Sequence, residues 1–146
     1  MNKVTIRPGN IADIAEIEQH IPEFVAPKTT TMILQRLADK PYLLLVAYDG
    51  DKPVAYKLGY QLAAEEFYSW LGAVLPSYRG QGIARRLLLD QELWCQTKGY
   101  QAIRVKSMNC FKTMLQMLIS HDYHIVGCET AAATTDPKIH FYKRLK

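Results

Sequence analysis

Long apolar runs are missing from this 146-residue sequence, and nothing in it approaches the roughly 20 consecutive apolar residues that span a bilayer. No membrane partner is therefore expected. The opening stretch MNKVTIRPGN has no apolar signal region and reads directly as a strand, which makes a cytoplasmic location the expectation. Cysteine is scarce. Cys95, Cys110 and Cys128 are odd in number and widely spaced, which suits neither a disulfide framework nor a zinc site, and each is expected as a small core residue. Histidine is scarce too: His20, His121, His124 and His140 include no HExxH pair, so no metal is expected. His121 and His124 flank Tyr123 at an expected helix end, where an imidazole suits the helix dipole. A strong charge of one sign is also lacking. Lysine and arginine total 18 against 14 acidic residues, a net charge of +4 with no basic stripe interleaved with aromatics, so nucleic acid is not an expected partner. Repeats, low-complexity tracts and interdomain linkers are absent.

What is present is an ordinary globular composition, 49% hydrophobic and 22% charged, at the length of one domain spanning residues 1–146. Val4 and Ile6 alternate into a strand that turns at Pro8-Gly9. Asn10 is placed to cap a helix through Ile11, Ile14, Ile17 and Ile21, and Pro22 and Pro27 bracket a loop. Thr29 to Thr31 can cap a short helix with Met32, Ile33 and Leu37 as its apolar positions. YLLLVAY (42–48) is a strand covered on both faces, followed by a DGDKP hairpin turn. VAYKLGYQL and EFYSWLGAVL are the next strands, with Gly59 and Gly72 marking bulges or close approaches. A helix from about Gly82 carries Ile83, Leu87, Asp90 or Gln91, and Trp94 on one line, with Ala84, Leu88 and Cys95 beside it, and ends at Lys98-Gly99. AIRVK is a strand with Ile103 and Val105 on one face; Asn109 then caps or precedes a helix through Phe111, Met114, Leu115, Leu118 and Ile119. HIVGC and KIHFYKRL close the chain as strands, the latter alternating Ile139, Phe141 and Leu145 against His140, Tyr142 and Arg144. The order is β-α-α-β-β-β-α-β-α-β-β, with one right-handed parallel crossover between Phe67 and Val105 and hairpins elsewhere, so the sheet is mixed and covered on both faces.

The stretch VLPSYRGQGIARRLLLDQELW (74–94) concentrates the chemistry. It leads an apolar strand through Pro76, Arg79, Gly80, Gln81 and Gly82 into a basic amphipathic helix. A nucleoside-triphosphate loop needs a Lys-Ser or Lys-Thr that is absent, and a dinucleotide fingerprint fails because Arg85 stands where its last small residue belongs. What fits is another phosphate cradle. The first N–H groups of a helix lack intrahelical partners, the dipole is positive there, and glycines keep side chains away. Arg79 and Arg85 add charge-assisted bonds suited to a diphosphate, with Arg86 in the same basic cluster. A glycine-rich turn into a basic helix with no ligand at all is the alternative.

The order of strand, proline, cradle, crossover helix, strand and Asn-led helix resembles the GNAT N-acetyltransferase superfamily over essentially the whole chain, most strongly from Phe67 to Gly127. Arg79, Gly82 and Ala84 match its [RQ]-x-x-G-x-[GA] motif, LGAVLP the strand before it, Gly99-Tyr100 the end of its crossover helix, Asn109 the asparagine opening its next helix, and FYKRL its last strand. The resemblance implies the acyl-CoA N-acyltransferase fold: an α/β (α+β) single domain whose mixed, mostly antiparallel sheet of about six or seven strands is flanked by about four helices, with one parallel βαβ crossover. It implies acetyl-CoA as co-substrate. Main chain at Ala73, Val74 and Leu75 would bind the pantetheine arm where two parallel strands splay apart. The diphosphate would sit on the turn of Gly80 and the amides of Gln81, Gly82, Ile83, Ala84 and Arg85; Asn109 would bond the pantetheine or orient the thioester. The implied reaction is direct acyl transfer to an amine of a small molecule or protein, with an N–H such as that of Val74 polarising the carbonyl.

The sequence departs from the family where a tyrosine usually protonates the departing thiolate: that position is Gln116, among Met114, Leu115, Met117 and Leu118, and the acid is unassigned. HDY replaces the usual end of that helix, with Tyr123 expected in core packing. Glu66 and Tyr68 are the candidate catalytic residues, on or just before the strand leading to Ala73; a solvated Glu65-Glu66 hairpin turn is the alternative. Tyr60, Tyr68, Trp70 and Tyr142 line an acceptor cleft or belong to the core. A CoA-binding module without catalysis competes with the enzyme, and a homodimer is compatible with the exposed aromatic edge.

Overall fold

A computed structural model describes residues 3–22, 28–130 and 136–146, so the Pro27 end of the expected loop lies outside the described residues. The elements are β1 (Val4–Pro8), α1 (Ile11–Glu18), α2 (Thr30–Leu37), β2 (Tyr42–Asp49), β3 (Lys52–Ala63), β4 (Glu66–Val74), α3 (Ile83–Lys98), β5 (Ala102–Met108), α4 (Lys112–Ser120), β6 (His124–Glu129) and β7 (Lys138–Arg144). Their order is the expected one. One seven-stranded sheet runs β1-β2-β3-β4-β5-β7-β6. Every neighbouring pair is antiparallel except β4–β5, which α3 connects in parallel. Among the described residues no helix is long and apolar enough to cross a membrane.

Alternation along β3 shows how the helices divide between the two faces. Tyr56 and Lys57 are consecutive and so point to opposite sides. The Tyr56 hydroxyl donates to Glu18 of α1, while Lys57 is coupled to Glu92 of α3. Helix α1 starts after Asn10, whose N–H donates to Asp13 at 3.0 Å, and it stops at Glu18, leaving Ile21 buried beyond its end. Helix α2 is capped by Thr29, whose hydroxyl accepts the Met32 N–H at 3.2 Å. It buries Ile33 and Leu37 but leaves Met32 exposed, because its stripe is narrower than the sequence suggests.

Strands β2 and β3 are buried nearly throughout, as two-sided cover requires. The β3–β4 register shifts between Leu58 and Gly59, where Trp70 is the extra residue, so Gly72 is not a bulge. Gly59 is a close approach: a Cβ there would fall 2.3 Å from Phe67 Cε2 and 2.7 Å from Tyr68 O. Helix α3 buries Ile83, Leu87, Leu88, Gln91, Glu92 and Cys95, so two polar residues lie on its inner face. Glu92 has partners: the Tyr123 hydroxyl at 2.8 Å and Lys143 Nζ at 3.1 Å. Cys110 and Cys128 are exposed, unlike Cys95, because they fall on the turn before α4 and on the edge strand β6. Phe111 and Ile119 of the α4 region are exposed as well, and Leu118 alone of that helix is fully buried.

Candidate active site

The parallel pairing of β4 with β5 stops early. Glu66, Phe67, Tyr68 and Ser69 pair with Ala102, Ile103, Arg104 and Val105. Beyond that, β4 continues to Val74 paired only with β3, and β5 continues to Met108 paired only with β7. Two arms of one sheet therefore open from Ser69 and Val105. The Leu75 N–H donates to Val54 O at 2.9 Å, and the Leu75 carbonyl accepts from Tyr78, so the groups of Leu75 are engaged. Antiparallel alternation turns Ala73 to β3 as well and leaves Val74 facing the opening. The Val74 carbonyl there accepts from Arg79 Nε at 3.1 Å.

A single 3₁₀ turn, Pro76–Tyr78, carries the chain from the open arm of β4 to the start of α3. Gly80 and Gly82 take φ values of +79° and +81°, a left-handed conformation that favours glycine. A Cβ at either would meet nothing within 4 Å, so the space outside this turn is open. The first bond of α3 runs from Arg86 N–H to Gly82 O at 3.0 Å, and no side chain among the described residues caps the helix. The N–H groups of Gly82, Ile83, Ala84 and Arg85 consequently have no intrahelical acceptor. Arg79 and Arg85 flank them. Arg86, the third of the basic cluster, turns away and donates from both terminal nitrogens to Val4 O at 3.3 Å. Gln81 reaches back to Ser77 O at 3.5 Å. Asn109 follows the end of β5 on the other arm, precedes rather than caps α4, and donates its N–H to Pro137 O at 2.8 Å.

A cleft of about 260 Å³ lies on the α2 face, lined by Arg36, Tyr60, Tyr68, Arg104, Lys106 and His140 among others. Tyr60 meets Tyr68 and Trp70 edge-on, at centroid distances of 5.4 and 5.8 Å. Arg104 lies over the Tyr142 ring, 4.8 Å from its centroid. Glu66 is not a free carboxylate: Arg104 holds both of its oxygens, at 2.8 and 3.4 Å, and this bond raises the arginine's pKa. Burial raises the Tyr68 phenol, which is a neutral donor at ordinary pH. Glu129 binds His140 and lies 3.5 Å from Lys106, and the His140 bond holds its carboxyl below the usual range. Arg36 differs. It donates to the Tyr60 hydroxyl at 3.3 Å and stacks over Trp70 at 4.8 Å, with no carboxylate partner among the described residues.

The structure thus brings residues 73–75 and 79–85 together at the end of one strand; Tyr68 lines the cleft nearer the start of that strand, and Glu66 reaches it through Arg104. Sequence reasoning missed Arg36, Arg104, Lys106 and His140. Strand alternation could have found three of them, since Arg104 and Lys106 share a face opposite Ile103 and Val105, and His140 opposes Ile139 and Phe141. Nothing in the sequence marks Arg36, whose place depends on how α2 lies on the sheet.

A mixed seven-stranded sheet that opens at its parallel pair, with an uncapped helix start beside the opening, defines the acyl-CoA N-acyltransferase class. The chain belongs to the acetyltransferase (GNAT) family, which it matches over residues 11–113. Comparison with curated proteins gives no match. Among solved structures, the ribosomal-protein-S18-alanine N-acetyltransferase from Escherichia coli superposes with a TM-score of 0.85 at 16% identity, over 98% of this chain and 94% of that one. Ard1 from Thermoplasma volcanium gives 0.84 at 15% identity, covering 98% of each chain. The yncA protein of Salmonella typhimurium, solved with its cofactor acetyl-CoA, gives 0.79 at 14% identity, over 99% and 95%. At such identities the likeness is one of fold.

Proposed function

We propose that the protein transfers the acetyl group of acetyl-CoA directly to an amine held in the α2-face cleft. The observation that carries this is the alignment of the β4–β5 opening with the uncapped start of α3. The first offers strand edges to the amides of a pantetheine arm, and the second offers amides and arginines to a diphosphate. Val74 and Asn109 stand on the two arms of the opening. The Val74 N–H is assigned to polarise the thioester carbonyl, and Asn109 to orient the arm. Amines with pKa near 10 are mostly protonated at neutral pH, so the acceptor must lose a proton before it attacks. Glu66, engaged by Arg104, is assigned to hold the cleft wall, with water removing that proton and Tyr68 donating a hydrogen bond to the acceptor.

The charge of the cleft refines the acceptor. Arg104 and Lys106 have acidic partners, whereas Arg36 stands on an aromatic platform without one among the described residues. An acceptor carrying a carboxylate or phosphate near its amine suits this arrangement, and a polyamine does not.

Acetyl-CoA should raise the melting temperature; at 100 times its Kd the gain is about 2.7 kcal/mol. Thiol release should then appear with amines that carry a carboxylate. Stabilisation without thiol release by any amine in a broad panel would make the protein a CoA-binding module. An unchanged melting temperature would remove the cradle.

A further inference from the structure

We propose that the Lys57 ammonium is the proton donor to the CoA sulfur as the thiolate departs, an inference that rests on the acetyl-transfer function above. The family's usual phenol is missing, since α4 carries an exposed Gln116 at that position. Lys57 is 6% exposed, and its amine has no hydrogen-bond or ion-pair partner among the described residues. It lies on β3 opposite Gly72 of β4, and a Cβ on that glycine would be 3.9 Å from Lys57 Cγ, so the lysine stem runs alongside the glycine. Gly72 lies beyond Ser69, on the arm of β4 whose outer edge is open. The charge coupled to Lys57 is Glu92, which Lys143 holds toward β7. In the order β3-β4-β5-β7 this directs the stem across β4 toward the base of the opening, since Lys143 pairs with Ile103 and Ile103 with Phe67, just short of Ser69.

The titratable groups gathered around Glu92 are Lys57, Cys95, Tyr123 and Lys143. Burial and Glu92 push the Cys95 thiol up to about 12 and raise the Tyr123 phenol further, so both keep their protons. Lys143 is tied to Glu92. Burial lowers Lys57 to about 8, against the opposing pull of Glu92. A free thiol titrates near 8.5, so donor and acceptor are nearly matched, which favours proton transfer. In the step, the acceptor nitrogen forms its bond to the acetyl carbon, the carbon–sulfur bond breaks, and its electron pair stays on sulfur. A proton from Lys57 Nζ then makes the CoA thiol. The neutral lysine amine regains a proton from solvent, which receives two from the acceptor nitrogen, one before attack and one as the amide forms.

The test needs no acceptor: binding of CoA and of desulfo-CoA is measured by calorimetry from pH 6 to 9, for the wild-type protein and Lys57→Met. An ammonium beside the sulfur lowers the thiol pKa, and because Lys57 itself titrates at about 8, a shift of roughly one unit makes CoA about twofold tighter than desulfo-CoA between pH 8 and 8.5. The preference should vanish at pH 6 and be absent from Lys57→Met at every pH. A purely structural lysine would weaken both ligands alike and leave their ratio flat. A flat ratio in the wild-type protein overturns the proposal whether or not the variant folds, and so does an equal rise in the variant. If desulfo-CoA binds neither protein, the acetyl-CoA function fails and the inference falls with it. Binding of desulfo-CoA with a flat ratio sinks the inference alone.

Discussion

The two sides of the β4–β5 opening are built from different material. The proposed donor side is backbone: strand edges at Val74, and amides of residues 82–85 that a helix start leaves over. The proposed acceptor side is side chains drawn from α2, β3, β4, β5 and β7, fixed by mutual pairing. A backbone site tolerates any side chain that leaves the main chain where it is, so it can serve one invariant ligand across a family. A side-chain site changes with single substitutions and can be retuned for a new acceptor. Substitutions on the two sides should accordingly have separable effects.

Gly82→Glu tests the donor side most severely. It places a carboxylate where the diphosphate is expected and forces a side chain into a left-handed conformation. Like-charge contact costs several kcal/mol, so acetyl-CoA affinity should drop by at least about 100-fold. The backbone strain costs about 1–2 kcal/mol, so the protein should fold with a lower melting temperature. Gly82→Asn, which accepts positive φ without adding charge, should lose far less. Unchanged affinity in a folded Gly82→Glu protein would break the comparison, because the donor side would no longer be the cradle.

Arg36→Met tests the acceptor side. A hydrogen bond to a charged group contributes about 1.5–3 kcal/mol, so kcat/KM for amines bearing a carboxylate should drop about tenfold or more. Acetyl-CoA affinity, read by calorimetry, should not move. Glu66→Gln should have a smaller effect, about three- to fivefold in kcat. Loss of a general base would instead cost on the order of 10²–10⁴-fold. A drop of that size would return Glu66 to the role of base and mean that Arg104 releases it during turnover.

The same contrast explains what could be read from the sequence. The turn proposed as the cradle was legible as a turn because backbone geometry leaves local signatures: Gly80 and Gly82 need positive φ, and the strand, proline and helix around them are contiguous. The element order was legible from apolar spacing in the same way. The Trp70 bulge was not, since register depends on which residues of β3 and β4 meet, and the glycine at 72 was a misleading marker. The family resemblance assigns Leu75 to the pantetheine arm, whereas its N–H belongs to the ladder with Val54. Glu66 reads from the sequence as a catalytic candidate or a solvated turn residue, and neither reading contains Arg104, 38 residues away in sequence. Pairings of that range carry no local signal, and the acceptor cleft is made of them.

Gln91→Leu should have the smallest effect, and it asks whether the cradle is independent of the core beneath its own helix. Gln91 is fully buried on the inner face of α3, with neither its amide nitrogen nor its oxygen hydrogen-bonded among the described residues. Burying an unpaired polar group costs about 1–3 kcal/mol, and leucine fills a similar volume without that cost. The variant should therefore be more stable by about 1 kcal/mol, a rise of roughly 2–4 °C in Tm for a chain of this size. Acetyl-CoA affinity should stay within a factor of two, because the amides of residues 82–85 are set by the left-handed turn two helical turns away. A more stable protein with weakened CoA binding would mean that the inner face of α3, and not the glycine turn alone, aims those amides.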